Sequence, residues 1–269
     1  MPPPLTGDRA DYDGTWKQVI EEFLDAFLDF FFPQVRALVD WSRPPESLET
    51  ELQKVFPESE TGRRYADKLF KAWQADGSEI WILIHIEVQS QEDPQFAQRM
   101  FTYYYRLRDR YRREIVSLAV LGDENPNWRP QVYQTELGGC RLQFEFPTVK
   151  LRDFDAVMLS SSSNPFAVVT AAHLRAKRTT GQAAERQRVK IQIARELYGR
   201  GYSREEITRL LRALDGLLTL PAALQAGFES ELRAIQEEVA MPIWMDLEVR
   251  AMERGREEGR QEGARRSRG

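Results

Sequence analysis

The hydrophobic pattern changes period several times along the chain, and each change marks an element. Over residues 16–32 the apolar side chains Trp16, Val19, Ile20, Phe23, Leu24, Phe27, Leu28 and Phe31 recur at helical spacing. Glu21, Glu22, Asp25 and Asp29 fall largely elsewhere on the wheel. The spacing predicts one helix, with Thr15 and Gln18 as a capping box and Pro33 as its end or kink. A short helix over 34–39 and a turn through 42–45 follow. From Tyr65 to Trp73 the period falls to two, with Tyr65, Asp67, Leu69, Lys71 and Trp73 on one face and Ala66, Lys68, Phe70 and Ala72 on the other. The turn signal Ala75-Asp76-Gly77-Ser78 and an apolar strand over 79–89 complete a β-hairpin.

Helical spacing returns after Pro94 and runs to about Arg113, with Met100, Phe101, Tyr104, Leu107 and Tyr111 as the expected buried stripe. Residues 115–121 read as a short buried strand, and 131–151 as two more strand-like runs around Gly138-Gly139. Beyond that the chain reads as helical. Asn164-Pro165 caps a helix to about Lys177, a second spans 182–198, and Ser203 with Glu206 forms a capping box for a third. Pro221 and Pro242 punctuate the rest, and Gly255, Gly259 and Gly263 recur every four residues in a charged tail. Three segments are expected: an α/β domain over about 10–160, a helical region over 161–247 and a tail over 248–269.

Composition narrows the classes. Of 269 residues, 42% are hydrophobic and 30% charged, an ordinary balance with ample core material. No apolar run approaches a membrane span, and the N-terminus lacks the basic and apolar regions of a signal peptide. With Cys140 the only cysteine, no intrachain disulfide can form, and a cytoplasmic location is the expectation. The net charge of −4 means that any nucleic-acid surface must be a local patch.

Candidate chemistry concentrates on the hairpin. Glu87 emerges from an apolar strand, with Gln89 two residues on and His85 two residues before, all on one face. Asp67 stands on the partner arm. A hard divalent cation such as Mg²⁺ takes one or two carboxylates plus water and substrate phosphate. Asp67 and Glu87 could supply them, with the Val88 carbonyl as a further ligand and Gln89 facing the water or phosphate. On spacing alone, a solvated sheet face or pairing with Lys71 or Arg99 is the simpler account. Glu22, with Glu21 as runner-up, is the candidate acid on the first helix, although either also fits a solvated stripe. His85 reads as structural or supporting. Gln98 and Arg99, nearest the strand end, are the candidate substrate contacts. The helix that bears them also carries Arg106, Arg108, Arg110, Arg112 and Arg113 among Tyr103, Tyr104, Tyr105 and Tyr111, a pattern suited either to phosphate tracking and stacking or to a solvated face.

The segments RYADKLFKAW, IWILIHIEVQSQ and FAQRMFTYYYRLRDRY together resemble the Rpn group, the recombination-promoting nucleases and transposase-like proteins of the PD-(D/E)xK nuclease superfamily. FPTVKLRDF, SSNPFAVV and the GREEGRQEG tail resemble it too. The resemblance implies a restriction-endonuclease-like fold, a mixed central sheet flanked by helices, with a helical C-terminal region. It matches Asp67 to the first acid, Glu87 to the second, and places Gln89 where the superfamily carries Lys. It implies a metal-dependent endonuclease using Mg²⁺ or Mn²⁺ on DNA, with a link to recombination or mobile elements. Gln in place of Lys keeps hydrogen bonding but loses positive charge. The alternative is therefore a catalytically degenerate fold acting as a DNA-binding or protein-interaction module. The tail is a candidate oligomerisation element.

Overall fold

A computed structural model describes residues 11–56, 66–87 and 93–239; the side chains of residues 66, 67 and 85–87 lie outside that description. The chain enters through helices α1 (Tyr12–Glu22), α2 (Leu24–Phe31) and α3 (Pro33–Arg36). Strand β1 (Glu46–Ser47) and helix α4 (Glu49–Val55) lead to the hairpin of β2 (Ala66–Trp73) and β3 (Glu79–Glu87). Helix α5 (Phe96–Tyr111) then crosses to β4 (Glu114–Leu121). Strands β5 (Val132–Leu137) and β6 (Cys140–Glu145) form a separate two-stranded ribbon, and β7 (Thr148–Lys150) returns to the main sheet. Helices α6 (Ala156–Ser161), α7 (Pro165–Arg178), α8 (Ala183–Gly199), α9 (Arg204–Leu217) and α10 (Ala222–Glu238) follow.

The five-stranded sheet has the order β1-β2-β3-β4-β7. The pairs β1/β2 and β2/β3 are antiparallel, whereas β3/β4 and β4/β7 are parallel. Helix α5 supplies the crossover that a parallel β3/β4 pair requires. One sheet face, carrying Phe70, Ala72, Ile80, Ile82, Ile84, Leu118 and Val120, packs in the main core with α1, α2 and the C-terminal helices. The other face is covered by α4 and α5: Leu69, Trp81 and Leu83 meet Leu52, Phe56, Tyr103 and Leu107, while Ala119 and Leu121 meet Phe96 and Met100. This mixed sheet flanked by helices is consistent with a restriction-endonuclease-like architecture. The main core continues without a break from Trp16 to Leu232, across residue 160 where the sequence suggests a boundary. The tail from 248 lies outside the described residues.

Several elements differ from the sequence expectation in instructive ways. The first helix is two helices, broken at Phe23, whose backbone leaves the helical region (φ −137°, ψ 40°). It starts earlier than the spacing suggests, because Asp11 caps it by accepting from the Gly14 N–H at 3.0 Å. Thr15 is not the cap; its hydroxyl donates to the Asp11 carbonyl at 2.6 Å. On α5 the fully buried positions are Phe96, Met100, Tyr103 and Leu107, so Tyr103 rather than Tyr104 completes the stripe. The Ser203–Glu206 capping box and the Asn164 cap with Pro165 behind it are present as expected.

One buried polar contact joins the two ends of the core. The Trp16 indole N–H donates to Nδ1 of His173 at 3.3 Å, and both residues are fully buried. Burial, with the Lys177 ammonium nearby, pushes the His173 imidazole down to about 3. The folded chain therefore binds fewer protons at this site than the unfolded chain between about pH 6.5 and that value. Stability from His173 is fully present above pH 6.5 and is lost as pH falls through that window. Urea midpoints measured from neutral to mildly acidic pH should fall for the wild type. His173→Gln should show a shallower slope, by up to about 1.4 kcal/mol per pH unit. Identical slopes would show that His173 does not carry the effect.

Candidate metal and phosphodiester site

The hairpin places its acids by register. Asp67 pairs with His85 across β2 and β3, and each neighbouring position pairs in turn, from Lys68 with Ile84 to Trp73 with Glu79. Directly opposed residues share a face, and Glu87 lies two positions beyond His85. Positions 67, 85 and 87 therefore fall on the face of Leu69 and Leu83, which is the face α5 covers. Positions 67 and 87 are diagonal neighbours, a relation that sets Cβ atoms roughly 7–8 Å apart. Two carboxylates at that spacing can reach a common ion. Val88 and Gln89, the expected carbonyl ligand and water-orienting amide, lie outside the described residues.

The same row continues across the sheet. Glu87 pairs with Leu121 of β4, and Leu121 pairs with Lys150 of β7. With strands about 4.8 Å apart, Lys150 stands on the order of 10 Å from Glu87 along this row. Its ammonium is buried and donates to both oxygens of buried Asp123, each at 2.8 Å, and to the Trp128 carbonyl at 2.9 Å. This pair fixes the end of β4 beside the candidate site. Neither member stands out by spacing. The signal that could have found Lys150 is a lysine inside the apolar run Thr148-Val149-Lys150-Leu151.

Lys68 is a second buried lysine, 3% exposed, next in sequence to Asp67. It is on the opposite strand face, where it bonds to Glu21 at 2.6 Å and Glu49 at 3.1 Å. Of the two first-helix acids, Glu21 is thus the one tied to β2. Glu22 accepts from Gln18 at 3.0 Å and lies 3.9 Å from Arg212. It lines a concavity of about 710 Å³ between α1 and α9, together with Arg204 and Arg209. Both acids sit on a helix that packs against the face opposite to that of position 67. Gln98 is exposed on the first turn of α5. Arg99 pairs with Asp93 and lies over the Phe96 ring at 5.2 Å, so its guanidinium helps hold the start of α5.

A mixed sheet with an antiparallel hairpin, a crossover helix and a parallel fourth strand is consistent with a restriction-endonuclease-like fold. Residues 11–118 match the model of a family described as putative transposase, YhgA-like. The matched segment spans the hairpin and the start of β4, and the family agrees with the resemblance drawn from the sequence motifs. No curated protein and no solved structure matches the chain. Among the described residues, no helix is long and apolar enough to cross a membrane.

Removing one member of the Lys150–Asp123 pair leaves the other charge buried and unpaired. Asp123→Ala should cost about 3–5 kcal/mol in urea unfolding, and combining Asp123→Leu with Lys150→Met should recover much of that loss. A loss of less than about 1 kcal/mol, as for a surface pair, would contradict this anchoring role.

Proposed function

We propose that the protein is a metal-dependent DNA endonuclease that hydrolyses phosphodiester bonds. The reading is carried by the hairpin register, which sets positions 67 and 87 diagonally on one sheet face. It is supported by the family match over the same segment. The donor set suits Mg²⁺ or Mn²⁺, because both side chains are hard oxygen ligands and the Val88 carbonyl could add a third. When bound, such an ion supplies charge neutralisation at the scissile phosphate and lowers the pKa of a water it holds. Asp67 and Glu87 would supply the carboxylates that hold the ion. Gln89 orients the attacking water or a phosphate oxygen through its amide, without the positive charge a lysine would bring. Gln98, exposed on the first turn of α5, contacts the substrate backbone, while Arg99 acts by holding that turn in place. DNA breakage for recombination or mobile-element movement is the role the family suggests.

The Gln89 substitution also favours a second reading, in which the fold binds DNA without cutting it. Plasmid nicking separates the two. Wild-type protein with Mg²⁺ should convert supercoiled plasmid to the open circle, and EDTA, Asp67→Ala or Glu87→Ala should each abolish this. Gln89→Ala should slow it roughly 10²-fold. If the variants nick as fast as the wild type, the site is misassigned. If the wild type binds plasmid in the gel but never nicks it, the binding module is the correct reading.

A further inference from the structure

The exposed side of α5 carries a feature that the proposed cleavage chemistry does not use. Tyr133 of the β5/β6 ribbon stacks on Phe101 with centroids 5.2 Å apart and planes at 17°. Phe101 stacks in turn with Tyr105 at 6.2 Å and 23°. The ladder ends at Tyr105, which is 56% exposed. Tyr105 is thus a large aromatic ring packed on Phe101 at the open end of the stack, with a face available to a flat partner. Beside it lies a concavity of about 390 Å³ lined by Tyr104, Tyr105, Arg108, Asp109 and Arg112. Tyr104 is itself packed on Phe144 at 4.8 Å, so this wall is rigid too.

The charge around the concavity is locally positive in a chain whose net charge is −4. Arg106, Arg108, Arg110, Arg112 and Arg113 crowd the last turns of α5, against the nearby acids Asp109, Glu114 and Glu79. Arg108 is committed to Glu114 at 2.8 Å, and Arg113 to Glu79 at 3.2 Å. Arg112 is more open, 83% exposed and 3.7 Å from Asp109. It is also the one described non-glycine residue with positive φ, at 54°. Glycine is the usual residue at such a helix end, because a side chain there is strained. An arginine kept at that cost points to a use for its guanidinium.

Gln98, Tyr105 and Arg112 are seven residues apart, two turns each, and all three are exposed. They form a line of about 21 Å along α5 that starts at the helix end nearest the candidate site. We infer that this line is a binding track for an unpaired nucleic-acid strand, with one base stacked on Tyr105 and a neighbouring phosphate on Arg112. Stacking on an aromatic platform needs an unpaired base, since paired bases present only their edges. The track extends the proposed cleavage site to a substrate with single-stranded character, and so it rests on the reading that the protein acts on nucleic acid.

Fluorescence anisotropy with labelled dT12, rU12 and a blunt 12-base-pair duplex, all in EDTA, tests this without reference to cleavage. Wild-type protein should bind a single strand, and Tyr105→Ala should weaken that binding about 5- to 150-fold. Tyr105→Phe should retain it, and the duplex should not respond to Tyr105→Ala. The oligonucleotide that loses affinity identifies the source, dT12 for DNA and rU12 for RNA. Arg112→Gly offers an independent variant that relieves the backbone strain. Its melting temperature should not fall, yet its single-strand affinity should drop and its salt slope should decrease by about 0.7. Wild-type protein that binds neither single strand, or Tyr105→Ala that binds them as tightly as wild type, would overturn the track. So would an equal loss on single strand and duplex. Strand binding that persists where nicking fails leaves the track standing and refutes only the cleavage reading.

Discussion

A slip of one residue in the pairing of β2 with β3 would carry position 67 to the other side of the sheet and dissolve the candidate site. The register is therefore the constraint on which everything else depends, and hydrophobicity alone specifies it weakly here. Both faces of this sheet are covered: Leu69, Trp81 and Leu83 are buried on one side, and Phe70, Ala72, Ile80, Ile82 and Ile84 on the other. Exchanging the two sets would move one apolar surface for another. What a slip could not tolerate is Lys68, which is buried and held by Glu21 and Glu49. Displaced to the α5 face, its buried ammonium would break its ion pair with Glu21 on α1 and enter a face lined by Leu, Phe and Trp side chains. The ion pairs to α1 and α4 thus select the register that sets Asp67 and Glu87 on a common face.

The other side of the site is held by the same kind of device. Lys150 closes on Asp123 at the far end of the row that begins with Glu87. The loop that follows β4 lies beside the candidate site and must hold its geometry if two carboxylates are to converge on one ion. A buried lysine bonded to both oxygens of an aspartate and to a backbone carbonyl gives a loop fewer conformations than apolar packing would. Helix α5 completes the arrangement, with its buried stripe seated on the sheet, Arg99 tied to Asp93 at its start, and Tyr105 turned outward.

Much of this was legible in the residues. The period-two run through Asp67, the Asp76-Gly77 turn and the apolar strand to Glu87 define the hairpin and its faces, because alternation and turn chemistry are local properties. The two C-terminal caps at Asn164 and Ser203 were legible for the same reason. The break at Phe23 was not: no proline or glycine marks it, and the apolar spacing runs through it unbroken. The Asp11 cap was hidden by Gly14 and Thr15, which look like the residues before a helix rather than within one. Lys68 and Lys150 were read as ordinary strand positions because their carboxylate partners are remote in sequence: Glu21 is 47 residues from Lys68, and Asp123 is 27 from Lys150. Of the expected α5 stripe, Met100 and Leu107 are buried, while Phe101, Tyr104 and Tyr111 are half-buried and Phe96 and Tyr103 take their place; three consecutive tyrosines offer the same side chain to each face.

Whether positions 67 and 87 hold one cation between them is the claim on which the functional account rests. Anomalous diffraction from crystals of the full chain soaked in Mn²⁺ addresses it directly. The account predicts one peak bridging the carboxylates of Asp67 and Glu87 on the α5 face of the sheet. Carboxylates turned to opposite faces, or a peak bound elsewhere with neither acid touching it, would contradict it.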